Sequence, residues 1–405
     1  MYLRFRLLVL ALVVLTGAAL SQATQVDREA SGDSPSDPGP RAKELSTALE
    51  PVAIETAMRK VADWQIATSE SRFNQQWTFA ALYDGLIVAS RTTGDPRYAS
   101  AVERAATRFN WQMLDTRFPH ADDEAIGRAY IDLYQLHPSP ERIQNTRAVL
   151  DRLVARPDDP AKPVWWWCDA LFMAPPVLAR MSALTGDHKY LAYMDHQWSI
   201  TTDLLYNRQE KLFFRDASYL KKTEKNGKPL FWARGNGWVL AGLAQVLTYM
   251  PANDPLRPKY VAQFREMAQR IASLQDADGL WKTGLLDPDA YNSSEVSGSA
   301  FFTYGFAWGL NNGLLDEHVF RPVVERAWAG MVQRIYESGR LGSIQPIGAA
   351  PDSFVPGSSY VYGVGGFLLA GNELHRLSAR HKGTAGAEAM PGRRSTEDSY
   401  AAGCS

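Results

Sequence analysis

Thr93-Gly94-Asp95-Pro96-Arg97-Tyr98 returns ninety-two residues later as Thr185-Gly186-Asp187-His188-Lys189-Tyr190. In each copy an apolar segment of 3.6-residue period ends at the Gly, the residue that most readily closes a helix in the left-handed region. The Asp that follows suits the N-cap of a second, more polar helix. Half the interval, counted from Gly94, reaches Pro140, where Ser139-Pro140-Glu141 opens another helix after a short turn. Asn253-Asp254-Pro255 and Leu315-Asp316-Glu317 repeat the logic with longer insertions between them. The repeating unit is a helical hairpin.

Reading outward from these turns, the periodicity predicts twelve helices. They fall at 44–67, 77–91, 96–114, 123–136, 140–155, 164–184, 189–206, 235–250, 258–274, 297–311, 317–336 and 360–377. Strand signals are scarce. Six hairpins, each pairing an apolar helix with an amphipathic one, fit an all-α (α/α)6 barrel with six inner helices inside six outer ones. A superhelical solenoid of the same hairpins is the alternative. Closure is favoured because six apolar helices need one shared core. The barrel is expected over 44–380.

The ends read differently. Residues 1–23 have the form of a secretory signal: Arg4 and Arg6, an apolar run from Leu7 to Leu15, then the small-x-small site Ser21-Gln22-Ala23. That run is short for a membrane span. Segment 24–43 is rich in Pro, Gly and Ser and is expected to be a disordered linker, and 381–405 a disordered polar tail. The mature protein is therefore expected to be exported, periplasmic or secreted. Hydrophobic residues are 45% and charged residues 21% of the 405, which is enough for a sizeable core. A net charge of −1 without basic blocks argues against nucleic-acid or membrane-surface binding. The two cysteines, Cys168 and Cys404, give neither a disulfide framework nor zinc-ligand spacing. His120, His188 and His196 are scattered, so no metal is assigned, and no Gly-rich phosphate fingerprint or nucleophile elbow is present. The 12 Trp and 17 Tyr suit either a helical core or a sugar cleft.

Chemistry is expected first in Val164-Trp-Trp-Trp-Cys-Asp-Ala-Leu-Phe-Met-Ala-Pro-Pro-Val-Leu178, where Asp169 is the lone carboxylate in an apolar, aromatic run. Burial raises the pKa of such a group and keeps it protonated as a general acid. The competing role is a plain N-cap for a helix starting at Ala170. Phe118-Pro-His-Ala-Asp-Asp-Glu-Ala-Ile-Gly127 places Asp122 and Asp123 at a helix start, where acids are favoured by the helix dipole alone. Phe231-Trp-Ala-Arg-Gly-Asn-Gly-Trp238 brackets an Asn with two glycines just before an apolar helix. Its backbone can approach a ligand closely, and Arg234 with the helix N-terminus favours an anion. The other reading is a loop with a solvated Arg and core Trp residues. Arg215-Asp216 is a further loop pair that could be an ion pair only. Ser293 to Ser299 reads equally as a polar site loop or as a capping segment.

In combination, Trp165 to Pro175, the Thr-Gly-Asp-x-x-Tyr turn, Phe231 to Trp238 and Ser294-Glu-Val-Ser-Gly-Ser299 resemble glycoside hydrolase family 105. These are the unsaturated rhamnogalacturonyl hydrolases, relatives of the unsaturated glucuronyl hydrolases. The resemblance spans about 45–378 and implies the (α/α)6 barrel reached above from the repeats. It implies hydrolysis, without a cofactor, of oligosaccharides that carry a 4,5-unsaturated uronyl residue at the non-reducing end. One Asp protonates C4 and then acts as base for the water that adds at C5, and the matching position is Asp169. The second acid of the family resembles Asp123, or else Asp122. Sugar contacts are implied for Trp166, Trp167, Met173, Arg215, Trp232, Arg234, Asn236, Trp238 and Ser297. Arg215 and Asp216 lie where other members can carry a His.

Two rivals remain at this point. A conventional inverting glycosidase on the same barrel needs two carboxyl groups roughly 6.5–9.5 Å apart, with Asp123 as base. A catalytically silent sugar-binding module needs no acid at all. The expected partner is the unsaturated oligosaccharide, and the chain is expected to be a monomer or weak oligomer.

Overall fold

The computed structural model describes residues 30–388 apart from positions 160 and 292. Twelve long helices form as the turns predict: α1 (Pro51–Ser69), α2 (Trp77–Thr93), α3 (Pro96–Arg108), α4 (Gly127–Leu136), α5 (Glu141–Val154), α6 (Pro175–Thr185), α7 (Lys189–Leu205), α8 (Ala233–Tyr249), α9 (Arg257–Ala272), α10 (Val296–Asn311), α11 (Glu317–Val332) and α12 (Val361–Glu388). Gly94 and Gly186 end α2 and α6 in the left-handed region, at φ 67° and 72°. Asp95 then accepts from the Arg97 amide, Asp187 from Lys189, Asp254 from Leu256 and Asp316 from His318, all at 2.8–3.0 Å.

The even-numbered helices form the inner ring. α10 is buried from Val296 through Leu310, whereas α3 buries only the stripe Tyr98, Ala101, Val102, Ala105 and Ala106. That difference follows from position: an inner helix meets neighbours all round, an outer one on a single face. α12 closes the ring against α2, α10 and the outer helix α1. The closure needs small residues, because a Cβ on Gly365 would lie 2.1 Å from the Ala81 carbonyl of α2. The barrel is therefore closed and not a solenoid.

Several expected bounds shift for identifiable reasons. The 123–136 helix is divided into a turn at Ala121–Glu124 and α4, and Gly127 at the start of α4 packs closely on Val177. The 164–184 helix is broken more severely. Val164 to Cys168 is non-helical, a turn forms at Ala170–Met173, and α6 restarts at Pro175, whose missing N–H and ring favour a first-turn position. α3 stops early because Asn110 and Trp111 take positive φ.

Two domain expectations are corrected. Residues 30–43, expected to be linker, are anchored. Gly32–Asp33 pairs antiparallel with Ser359–Tyr360, Arg340 bonds Asp33, and Arg41 lies 3.9 Å over the Tyr336 ring. At the other end α12 runs on to Glu388, past the expected limit at 380. The expected signal at 1–23 and the tail from 389 onward lie outside the described residues. Among those described, no helix is long and apolar enough to cross a membrane.

Candidate active site

The N-terminal ends of the inner helices and the segments leading into them gather the polar motifs at one end of the barrel. Trp167 pairs through its backbone with Asp216, and the Cys168 amide donates to the Arg215 carbonyl at 2.8 Å. These bonds hold the aromatic run in extended form and set Asp169 beside Arg215. One wall of the cleft is a continuous stack. His120 lies 4.8 Å from Trp167, Trp167 4.7 Å from Trp166, and the Arg215 guanidinium 5.4 Å from the Trp166 ring. Trp166 is 45% exposed, unlike the other large aromatic side chains of this run, so it offers an open face.

Asp169 is half-buried, and its carboxylate does not cap the turn that follows it. It accepts from the Cys168 thiol at 3.3 Å and lies near the start of α8, 3.5 Å from where a Cβ of Gly235 would stand. Burial pushes its pKa above the ordinary value, against the pull of Arg215, the thiol and Arg234; Asp216 adds to the rise. The Cys168 thiol is itself pushed far up by burial and by Asp169, so it stays a donor. Arg215 would lose its proton more readily through burial, yet Asp169 and the hydrogen bond to Asp216 hold it above its usual value. Its bond to Asp216 is 2.6 Å.

The paired acids share Arg117 unequally, Asp122 lying 3.4 Å from its Nη1. Asp123 is buried and turned to Arg117, whose backbone amide and Nε donate at 3.0 and 2.8 Å. Asp122 is half-buried and lies in the field of Asp169. Burial raises it to about 7, with the charges of Asp169 and Asp123 adding and those of Arg117 and Arg215 opposing. His120 caps the same turn by accepting from the Asp122 amide at 3.3 Å. Burial and Arg117 depress its pKa to about 4, which leaves it neutral near pH 7.

Arg234 is almost wholly buried beneath the cleft and makes no salt bridge among the described residues. It donates to the carbonyls of Gln345 and Pro346 at 2.7 and 2.9 Å and sits between the rings of Trp232 and Tyr362. Its Nε has no partner among the described residues. Its charge is one of those that pull the Asp169 pKa down.

Comparison with known proteins now decides the family, since the Glycosyl Hydrolase Family 88 model matches residues 53–378. The chain belongs to that family. It is 41% identical over 343 residues to an unsaturated 3S-rhamnoglycuronyl hydrolase of Formosa agariphila, covering 80% of this chain and 91% of that protein. It is 31% identical over 369 residues to a protein of the same name from Alteromonas sp. (strain LOR), covering 82% and 89%. Among solved structures, a glycosyl hydrolase family 88 protein from Bacteroides vulgatus superposes with a TM-score of 0.77 at 31% identity, over 81% of this chain and 99% of that one. The protein is thus a glycoside hydrolase with the (α/α)6 barrel of that family.

Within this family 88 chain, the structure brings together Asp169, Arg215, Trp166 and Trp167 as expected neighbours. Five of the residues expected to contact the sugar are instead packed or hydrogen-bonded within the barrel. Asn236 is closed off: its Oδ1 accepts from the Phe213 amide, and its Nδ2 donates to the Phe213 and Trp232 carbonyls. Trp238 is core, packed on Phe172 and Phe301 at 4.8 and 4.2 Å. Met173 is core as well, and Ser297 is buried against the carboxylate of Glu295. Trp232 is also buried and donates from Nε1 to Gln345 at 2.9 Å. Of the two candidates for the second acid, Asp123 takes the closer bonds from Arg117 and Asp122 lies in the field of Asp169. His120 was missed; its one sequence signal was its position immediately ahead of the acidic turn. Glu295 proves to be the capping residue, accepting from the Ser297, Gly298 and Gln345 amides. Among the described residues there is no group of three or more His, Cys, Asp or Glu that could hold a metal ion.

Proposed function

We propose that this protein removes a 4,5-unsaturated uronyl residue from the non-reducing end of oligosaccharides released by a polysaccharide lyase, with Asp169 as the acid. The observation that carries the reading is a carboxyl group raised by burial, free of any capping bond, at the mouth of the inner ring. The family and the names of the two curated relatives supply the substrate class. Those names also support rhamnose as the sugar to which the uronyl residue is linked.

Asp169 gives its proton to C4 of the enol ether, and positive charge develops at C5 and the ring oxygen. Water attacks C5 and passes its proton to the Asp169 carboxylate, which restores the acid. The hemiketal so formed opens by breaking the bond between C5 and the ring oxygen. C1 is left as a hemiacetal that expels the remaining oligosaccharide. Only protons move, and each transfer is one that a positioned carboxyl group accelerates. Asp122 shares the cleft as a second acid that orients the water. Arg215 faces the substrate carboxylate, Arg234 adds its field from below, and the open face of Trp166 carries a sugar ring. The leader-like residues 1–23 support an exported enzyme.

The test follows the ultraviolet absorbance of the conjugated enol ether in lyase-generated disaccharides, for wild type and Asp169→Asn. Absorbance that falls with wild type and stays level with the variant supports the reading. Level absorbance with cleavage of saturated oligosaccharides instead transfers the protein to the inverting glycosidases. Binding without any turnover makes it a silent module.

A further inference from the structure

We infer that Asp84 and Arg128, buried inside the barrel, are positioning residues that hold Asp169 in place for its reaction; the inference rests on the hydrolase reading above. Their link to Asp169 is the short turn Ala170–Met173, which follows it directly and precedes α6.

The sequence of this turn leaves it in need of outside support. In a continuous helix the carbonyls of Leu171 and Phe172 would accept from the amides of residues 175 and 176, but Pro175 and Pro176 have no N–H. Met173 loses its helical partner as well, since the Val177 amide donates to the Ala174 carbonyl instead, at 2.9 Å. Arg128, at the start of α4, fills the gap. Its Nη1 donates to the carbonyls of Phe172 and Met173, both at 2.8 Å, and its guanidinium lies 4.5 Å from the centre of the Phe172 ring. Asp84 of α2 accepts from Arg128 Nε at 2.7 Å and so fixes the guanidinium. The Phe172 amide donates to the Asp169 carbonyl at 3.0 Å, which carries the restraint to the acid. Asp169 is thereby held from two sides, by this chain of contacts and by the bond from the Cys168 amide to the Arg215 carbonyl.

Stability explains the pair poorly. Arg128 is 0% and Asp84 2% exposed, and taking both charges out of water is costly. Arg128 Nη2 and Asp84 Oδ1 have no partner among the described residues, so part of that cost is not recovered in hydrogen bonds. Well-packed apolar residues in place of a buried ion pair are often at least as stabilising. An apolar side chain cannot, however, hold two adjacent carbonyls, and a planar guanidinium anchored by a carboxylate holds them in one geometry. At the acid that geometry matters, because a misplacement of about 1 Å caused from a distance can cost roughly 10²-fold in rate.

The test uses Arg128→Lys and the double variant Asp84→Asn/Arg128→Met, which removes both charges together and leaves neither buried alone. Both are assayed on lyase-generated unsaturated disaccharides at a temperature where circular dichroism shows them fully folded. The double variant is expected to lose kcat roughly 10–100-fold with KM changed by about twofold or less, because Trp166, Arg215, Asp216, Arg234 and Asp122 are untouched. Its kcat/KM should also begin to fall at a lower pH than that of wild type, since an Asp169 loosened from its buried position holds its proton less firmly. Arg128→Lys, which keeps a cation opposite Asp84 and a donor for the carbonyls, should lie between the two. A crystal structure of the double variant should show the 170–173 turn and the Asp169 carboxylate displaced. Wild-type kcat and pH profile in the folded double variant, a loss confined to KM, or an Asp169 unmoved in the crystal each overturns the inference. Wild-type protein that turns over no unsaturated substrate overturns the hydrolase reading instead, and the crystal structure then decides by itself whether the pair places Asp169.

Discussion

Glu124→Gln should make the protein progressively more stable than wild type as pH rises from about 4.5 to about 8. Glu124 is 1% exposed, and neither of its carboxyl oxygens has a partner among the described residues. Burial, with the charges of Asp123 and Asp122, raises its pKa from 4.5 to about 8. In the unfolded chain the group ionises near its ordinary value, whereas the folded chain keeps the proton until pH 8. Across that window the folded state binds the extra proton, so stability falls as pH rises and levels off above it. At 1.36 kcal/mol per unit the full effect is roughly 5 kcal/mol. Gln has nearly the same shape and does not titrate, so any cost of its unpaired amide is the same at every pH and cancels in the comparison. The assay is urea denaturation of both proteins at pH 4.5, 6, 7 and 8.5, read as the difference in extrapolated stability. A difference that stays constant over this range refutes the neutral, buried carboxyl.

Five further outcomes are expected. Asp169→Asn should lower kcat by roughly 10²–10⁴ with KM little changed, and should leave the melting temperature near wild type, because the carboxylate caps nothing. Asp122→Asn should remove a titration near pH 7 from the kcat/KM profile. Asp123→Asn should instead lower stability by roughly 2–4 kcal/mol in a urea melt, since it disrupts the charge-assisted bonds from Arg117. Asn236→Ala should cost roughly 2–4 kcal/mol by the same measure, through three lost backbone hydrogen bonds, and Trp166→Ala should raise KM severalfold while stability moves by about 0.5 kcal/mol or less.

The barrel was legible because its punctuation is local chemistry. Gly94 and Gly186 need positive φ and Asp95 and Asp187 cap, and neither fact depends on what packs around them. Closure was legible only as an argument about shared core, since the contact that makes it, Gly365 on Ala81, joins residues far apart in the chain. Asp169 stood out because a lone acid among three tryptophans conflicts with burial unless it has a task. The choice between Asp122 and Asp123 was not legible. Adjacent residues on a helical turn point about 100° apart, so Asp123 takes the closer bonds from Arg117 while Asp122, at 3.4 Å from it, lies in the field of Asp169, and only the tertiary structure says which. Asn236 and Trp238 misled for a related reason. α8 begins at Ala233, two residues before the expected start, and the later residues of the motif therefore rotate into the core.

The cleft combines acids whose pKa values are raised with cations that should lower them, and the balance between the two defines how it works. Arg215 and Arg234 both pull Asp169 toward ionisation, but burial outweighs them and its pKa is raised. The opposing contribution already visible is Asp216, an anion beside Arg215 that pushes Asp169 further up. A substrate carboxylate drawn to Arg215 acts in the same sense as Asp216: it neutralises part of the cationic pull and displaces water from Asp169. Binding the anionic sugar therefore strengthens the acid form that the first step consumes. In the proposed mechanism, once the proton has moved to C4, Asp169 is a carboxylate beside two guanidiniums and a developing positive charge at C5, which is where ionisation is favoured. The same arginines thus oppose protonated Asp169 in the free enzyme and stabilise its anion during the reaction. Arg234 is buried and forms no salt bridge among the described residues, so its charge remains available to the Asp169 anion.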